Sequence, residues 1–202
     1  IRIIGILVLS IFVLYGSIKS FYNNKIEVES FSYVVEPNTS ILDLYDGLYI
    51  SENIFEKSLF LLGIFIFDFK TIQAGEYLVD DSLFKVMTKM KSGQTITHKF
   101  VISDGMNIYE LSSYIKTLSL NNDCIEFKCI NAINDSIEGL LLPDTYFFKR
   151  NTNLSILLNK SSEALDRYVD SIWGDKPIDN PLKTKYEAII PVSYTHLRAH
   201  ET

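Results

Sequence analysis

Residues 137–148 read I-E-G-L-L-L-P-D-T-Y-F-F and place two carboxylates, Glu138 and Asp144, in an apolar stretch. The segment Pro143-Asp144-Thr145 is a strong turn signal, because an Asp side chain accepts hydrogen bonds from the nearby backbone. The stretch therefore predicts one of two arrangements. It is either a strand, a turn and a second strand, or the site of a catalytic acid held in apolar surroundings.

Two similar segments lie N-terminal to this stretch. They read V-V-E-P-N-T-S-I-L-D-L (34–44) and V-I-S-D-G-M-N-I-Y-E-L (101–111). In each, β-branched residues precede a turn, and a cap residue is followed three positions later by an acid. The pairs Ser40/Asp43 and Asn107/Glu110 predict capping boxes at helix starts. Each copy is thus predicted as strand, tight turn and helix, and the repeat resembles a small sugar-binding module of the LysM kind.

Hydrophobic periodicity outlines the remaining elements. It predicts helices over 41–49, 53–66, 82–90, 108–118, 154–170 and from 183 onward, and strands over 75–79 and 95–102. The apolar run 59–67 is too short to span a bilayer and is predicted to be core. The fold class is α+β.

The N-terminal stretch 3–18 carries no charge and lies between Arg2 and Lys19. With residues 20–22 it reaches the roughly 20 residues that cross a hydrocarbon core. No small-x-small cleavage site follows, so we expect an uncleaved anchor with the rest of the chain outside the cytoplasm. A buried core helix is the alternative.

Composition excludes one class of protein and disfavours another. The hydrophobic fraction of 47% and charged fraction of 22% rule out a disordered chain, and a net charge of −6 disfavours nucleic-acid binding. Cys124 and Cys129 are expected as free thiols, or as a disulfide in an oxidising compartment. No metal site is expected, because no further thiols exist.

The final residues, V-S-Y-T-H-L-R-A-H-E-T (192–202), do not continue the preceding pattern. Their back-translation resembles a sequencing-library adaptor read in frame, so residues 191–202 are excluded from fold reasoning. We therefore expect the protein to continue past Ile190 in some other way, and this 202-residue chain, which would lack an edge of its core, to be inactive or unstable.

The run E-G-L-L-L-P-D-T-Y-F-F resembles the signature of the YceG-like (MltG) family of endolytic murein transglycosylases. Other family features follow in order: the anchor, E-P-N-T-S-I, A-G-E-Y-L-V, L-F-K-V-M-T-K-M-K-S-G, V-I-S-D-G-M-N-I-Y-E-L and K-Y-E-A-I-I. The resemblance implies an anchor at 1–24, a LysM-like module at 25–97 and a truncated α/β catalytic domain at 98–190.

The resemblance also implies the activity and the site. The enzyme would sit in the bacterial plasma membrane with one span, its catalytic domain outside the cytoplasm. It would cut nascent peptidoglycan glycan strands internally, leaving 1,6-anhydro-N-acetylmuramyl ends and terminating elongation. Glu138 would be the acid/base, with Tyr146, Asp144 and Gly139 shaping the substrate site. Glycan strands and peptidoglycan synthases would be the partners, and no cofactor would be needed.

The residues themselves are compatible with this chemistry. A general acid must be protonated near neutral pH, and burial beside leucines 140–142, Phe147 and Phe148 would raise the pKa of Glu138. The muramyl 6-hydroxyl would serve as the internal nucleophile, so one carboxyl could act as acid and then as base. The alternatives are a membrane-tethered scaffold that binds peptidoglycan without cutting it, and an anchored protein-interaction domain.

Overall fold

A computed structural model describes residues 2–24, 26, 30–48, 53–130, 139–174, 181–185 and 187 of the chain. Helices and strands are interspersed along the sequence, so the fold is mixed α and β. The chain divides into two compact units, Ile1–Ile96 and Thr97–Thr202.

The first unit begins with helix α1, Arg2–Asn23. By length and composition this helix could cross a membrane. Its apolar side chains from Ile3 to Tyr15 are exposed, whereas Ile18, Phe21 and Tyr22 are buried in the core of the unit. The helix is therefore not the buried core helix considered as an alternative, because only its last turns pack inside the unit.

The rest of the first unit is built around a two-stranded sheet. Strand β1 (Phe31–Val35) leads through helices α2 (Ile41–Leu48) and α3 (Ile54–Ile66) to strand β2 (Gly75–Val79). The strands are antiparallel, with Phe31 opposite Val79 and Val35 opposite Gly75. Helix α4 (Leu83–Ser92) follows and packs on β2.

Buried aromatic residues tie this core together. Tyr22 of α1 donates a hydrogen bond to the backbone oxygen of Phe60 in α3 at 2.7 Å, and Tyr77 donates to the Gln73 carbonyl at 2.8 Å. The absence of a side chain at Gly63 permits the close approach of α1, since a Cβ there would overlap the Tyr22 ring. Burial of the phenol rings with their hydroxyls paired avoids the cost of an unsatisfied polar group.

Both predicted capping boxes are confirmed. At the start of α2, the Ser40 amide donates to the Asp43 carboxylate at 3.3 Å and the Asp43 amide donates to the Ser40 hydroxyl oxygen at 3.1 Å. Asn107 and Glu110 make the same reciprocal pair ahead of helix α5, Ile108–Ile115. These bonds satisfy amide groups that have no partner within the helix, which is why both helices begin at the predicted residue.

The second unit pairs strand β3 (His98–Val101) with strand β4 (Thr145–Phe148). The pair is antiparallel, and Phe100 lies opposite Tyr146. Between the strands come α5 and a short 3-10 helix, Ile125–Phe127, and after them helix α6, Leu154–Trp173. The core of this unit gathers the following buried residues: Phe100, Ile102, Leu111, Ile115, Cys124, Phe127, Ile130, Tyr146, Phe148, Leu154, Leu157 and Leu158.

Cys124 and Cys129 form a disulfide with their Cα atoms 5.2 Å apart, so the expectation of free thiols is wrong. The 3-10 helix between them turns the chain back within the range that a disulfide can bridge. Cys124 is buried, and the Cys129 amide donates to its sulfur at 3.2 Å.

Several predicted elements differ in extent, and helices α4 and α6 end later than predicted, at Ser92 and Trp173. Helix α5 ends at Ile115 rather than at residue 118, because residues 114–118 close into tighter turns through Thr117 N–H to Tyr114 and Leu118 N–H to Ile115. Strand β3 begins at His98, since the amide of Ile96 instead donates to the Glu76 carbonyl of the first unit at 2.7 Å. In the run 59–67, Leu62, Phe65 and Ile66 are exposed, so only part of it is core.

The predicted helix from 183 onward lies mostly outside the described residues, and the adaptor-like segment 191–202 lies entirely outside them.

Candidate active site

The stretch 137–148 lies in the second unit, and the structure describes it from Gly139 onward. Glu138, the predicted catalytic acid, is outside the described residues. The described part of the candidate site is therefore the segment immediately C-terminal to Glu138. It consists of the Gly139 bend, the leucines, the Pro143-Asp144 turn and strand β4.

Gly139 adopts a left-handed backbone conformation, with φ at 80°. This region is unfavourable for residues with a Cβ atom, so glycine permits a bend here that other residues resist. Gly139 is exposed and Leu140, the next residue, is buried. The chain thus turns from the surface into the core directly after Glu138.

Two hydroxyl groups hold the carbonyl oxygen of Leu142. The Tyr146 hydroxyl donates to it at 2.9 Å, and the Ser161 hydroxyl donates to it at 3.1 Å. Tyr146 belongs to β4, whereas Ser161 belongs to α6 and is fully buried. Strand and helix therefore fasten the backbone four residues from Glu138.

Tyr146 is a core residue, with 4% of its surface exposed. Its ring lies 6.4 Å from that of Phe100 on the paired strand. Burial raises the pKa of the Tyr146 phenol above its ordinary value, the interaction with Ser161 opposes the rise, and the Asp144 charge adds to it. The phenol is therefore protonated at neutral pH and acts as a donor to Leu142.

Asp144 organises the turn. Its carboxylate accepts a hydrogen bond from the Thr145 amide at 2.6 Å, and its backbone oxygen accepts one from the Ile102 amide at 3.0 Å. The side chain is exposed. This is the turn-forming role that Pro143-Asp144-Thr145 predicts, and it extends the β3–β4 pairing by one bond.

The predicted apolar surroundings are only partly present. Leu140 is buried and Leu141 and Leu142 are half-buried, but the Phe147 side chain is 59% exposed. Phe148 is buried opposite His98, with the two rings 5.4 Å apart. Because side chains alternate along a strand, Phe147 faces away from Tyr146 and Phe148. It therefore does not contribute to the buried apolar surroundings that were predicted.

Ser161 is not among the site residues predicted from the sequence. The residue occupies the apolar face of α6 together with Leu154, Leu157 and Leu158, at helical spacing. A serine at a core position of an amphipathic helix needs a hydrogen-bond partner. That requirement is the sequence signal by which a structural role for Ser161 could have been predicted.

Among the described residues, no group of three His, Cys, Asp or Glu side chains is arranged to hold a metal ion. What the described geometry can do is fix the backbone that follows Glu138, with a bend at Gly139 and a clamped carbonyl at Leu142.

Comparisons with known proteins bear on this stretch. The model of the YceG-like family matches residues 33–194, a range that contains the whole of 137–148. No curated protein matches the chain. The solved structure of a YceG-like protein from Listeria monocytogenes is similar at 18% sequence identity, with a TM-score of 0.34, over 72% of this chain and 57% of that one. The chain thus spans little more than half the length of that protein.

Proposed function

This chain belongs to the YceG-like family, and on that premise we propose that it is a lytic endotransglycosylase. It cleaves nascent peptidoglycan glycan strands internally, leaves 1,6-anhydro-N-acetylmuramyl ends and so terminates elongation. The observation that carries the proposal is the family match across residues 33–194, because that range includes E-G-L-L-L-P-D-T-Y-F-F.

Glu138 is the proposed acid/base. Its protonated carboxyl gives a proton to the glycosidic oxygen as the bond from the muramyl C1 breaks. The 6-hydroxyl of the same sugar attacks C1, and its proton passes to the carboxylate, which restores the acid. No water and no cofactor is consumed, because the nucleophile belongs to the substrate.

The described neighbours support this assignment through position. The chain bends at Gly139, and the side chain of the next residue, Leu140, is buried. The Leu142 carbonyl oxygen accepts hydrogen bonds from Tyr146 and Ser161. A catalytic group works best when its backbone is held in place by packed neighbours. Tyr146 and Asp144 are accordingly proposed to shape the site by fixing the turn, with Gly139 allowing the substrate to approach the backbone.

We propose a single-pass anchor in the bacterial plasma membrane, with the rest of the chain on the extracytoplasmic side. Helix α1 is long and apolar enough for the span. The Cys124–Cys129 disulfide favours an oxidising compartment for the second unit. The proposed substrate is found on that side of the membrane, and peptidoglycan synthases are the proposed partners because they produce nascent strands.

The test compares Glu138→Gln with wild type in the complete gene product, assayed on uncrosslinked glycan strands by mass spectrometry of anhydro ends. We expect release to fall by at least about 100-fold, the lower range for loss of a general acid. Glu163→Gln is the matched control, because Glu163 is exposed on α6 and pairs only loosely with Arg167 at 3.8 Å. Equal release by wild type and Glu138→Gln would refute the assignment.

The second candidate is a tethered module that binds peptidoglycan without cutting it, with the first unit as a LysM-like module. The specific observation in its favour is the repeat, since β1–α2 and β3–α5 share the strand–turn–capped-helix order. It predicts that Glu138→Gln sediments with peptidoglycan sacculi as wild type does and that neither protein releases anhydro ends. A protein that fails to sediment at all would favour an anchored protein-interaction domain.

A further inference from the structure

Helix α3 exposes a continuous apolar face. Its strongly exposed large side chains are Ile54 (82%), Phe55 (63%) and Phe65 (69%), joined by Leu62 and Ile66. At 100° per residue these positions and Ser58 fall within one third of the helix circumference. The opposite side is formed by Leu59, Phe60, Gly63 and Ile64 and is buried in the core. The exposed face is thus apolar except for Ser58.

Ser58, the polar residue on this face, is already paired. Its hydroxyl donates to the Ile54 carbonyl within the same helix at 2.8 Å. A hydroxyl bonded in this way can leave water without losing a partner. The charged residues of α3 are only half-exposed, and Lys57 pairs with Asp46 at 3.2 Å. The face therefore suits an apolar environment without further compensation.

This face continues the surface of α1. The two helices are in contact, and Phe55, Glu56 and Leu59 line a groove against Val13, Gly16, Ser17, Ser20, Phe21 and Asn24. The Tyr22 hydroxyl bond to the Phe60 carbonyl fixes the helices together at 2.7 Å. Phe55 thus borders the same groove as Val13, which is one of the exposed apolar residues of α1.

The length of the uncharged part of α1 favours a position of α3 near the bilayer. The stretch between Arg2 and Lys19 extends about 24 Å as a helix, whereas a hydrocarbon core is about 30 Å thick. Counting from Ile3, an apolar length of about 30 Å is reached at Phe21 and Tyr22, and both are buried in the first unit. On the proposed anchoring, the part of the unit around Phe21 then lies at the membrane surface.

We propose that α3 is a second membrane contact, lying in the boundary between headgroups and acyl chains with its apolar face towards the lipid. The occupant of the face is the bilayer itself, and the proposal rests on the proposed membrane anchoring by α1. Lys70, whose ammonium lies 5.3 Å from the centre of the Phe65 ring, would extend to the lipid phosphates. The first unit is then held flat on the membrane by two helices.

The test uses single tryptophan reporters in the complete gene product, with Trp173→Phe as background, reconstituted in vesicles containing brominated phosphatidylcholine. Phe55→Trp and Phe65→Trp report on the α3 face, and Phe12→Trp reports on α1. Leu78→Trp is the matched control. Leu78 is exposed on β2, on the sheet face opposite to the buried Tyr77 and Val79.

We expect lipids brominated near the headgroup to quench Phe55→Trp and Phe65→Trp at least about twofold, as an interfacial helix requires, and to leave Leu78→Trp bright. Quenching of Phe12→Trp by deeply brominated lipid, with both α3 reporters as bright as Leu78→Trp, would overturn the α3 contact and leave the anchor intact. The face would then be covered by a second copy or another protein. An unquenched Phe12→Trp would overturn the anchor and this inference together.

Discussion

Tyr146 and Ser161 donate hydrogen bonds to the same acceptor, the carbonyl oxygen of Leu142, at 2.9 and 3.1 Å. One donor comes from a strand and the other from a helix that follows it in the chain. The turn after the proposed catalytic acid is therefore fixed by two elements at one atom. Either hydroxyl alone still gives the carbonyl oxygen a hydrogen-bond donor, so we expect loss of both to cost more than the two single losses together.

Tyr146→Phe and Ser161→Ala should each lower the free energy of unfolding by about 1 kcal/mol, the usual net value of one hydrogen bond. The double variant should lose more than the sum of the two, because only then is the carbonyl left without a partner. Urea unfolding measures all three. Ser171→Ala is the control, since Ser171 is exposed and bonds its own helix. Strict additivity would show that the two hydroxyls act independently.

Gly139→Ala should destabilise the protein by about 1–2 kcal/mol, the cost of a Cβ in the left-handed region. Gly139 has φ at 80°. Gly174→Ala provides the contrast, because Gly174 has a helical φ of −63° and, among the described residues, an added Cβ there meets only the Asp170 carbonyl at 3.8 Å. We expect that change to be neutral or slightly stabilising. Thermal unfolding of the two variants side by side distinguishes them, and equal losses would contradict the conformational argument.

Reduction of the Cys124–Cys129 disulfide should lower the free energy of unfolding by about 2 kcal/mol, as loop-closure entropy gives for so short a loop. The measurement is urea unfolding with and without dithiothreitol. A Cys124→Ala/Cys129→Ala variant controls for other effects of the reductant and should be insensitive to it. A wild-type midpoint that does not move on reduction would mean that the disulfide constrains little.

Asp123 should make stability depend on acid pH. Its carboxylate accepts hydrogen bonds from the Ser155 hydroxyl at 2.5 Å and the Ser155 amide at 2.9 Å, and these bonds lower the pKa of Asp123 below its ordinary value. A lowered pKa in the folded state gives stability that is present above the unfolded pKa and is lost as pH falls through the folded one.

In wild type, the free energy of unfolding should fall as the pH is lowered from 6 to roughly below 4, where carboxylates titrate. Asp123→Asn should make this fall shallower. Ser155→Ala removes one of the two donors and should give an intermediate slope. Unfolding midpoints measured across this range test the order. The same slope in wild type and Asp123→Asn would assign the acid sensitivity to other groups.

The sequence could predict those elements whose signals are local. Strand β2 and helices α2 and α6 begin where predicted, and α3 begins one residue later because Asn53 is its cap. Caps and hydrophobic periodicity depend on residues close together in the sequence, so local signals suffice for these elements. The start of β3 depended on a distant partner, since Ile96 bonds Glu76 while His98 pairs with Phe148. No pattern of neighbouring residues could predict these two pairings.

The candidate site divides in the same way. The turn role of Asp144 follows from Pro143-Asp144-Thr145 alone, and it is observed. The burial of Tyr146 and the contribution of Ser161 depend on how α6 packs against β4, which single-residue signals do not specify. The disulfide was likewise decided by the 3-10 helix that brings the two Cα atoms to 5.2 Å. The catalytic role of Glu138 remains a prediction.

The bond between Tyr22 and Phe60 has a consequence for proteolysis. Ile18, Phe21 and Tyr22 belong to α1 by sequence but to the core of the first unit by packing. A protease that cut the chain between α1 and β1 would not free an intact product, because leaving α1 behind would withdraw these side chains and expose the apolar surface beneath them. On the proposed anchoring by α1, removal of this helix from the rest of the chain would therefore also unfold the first unit, and no folded fragment is expected from such a cut.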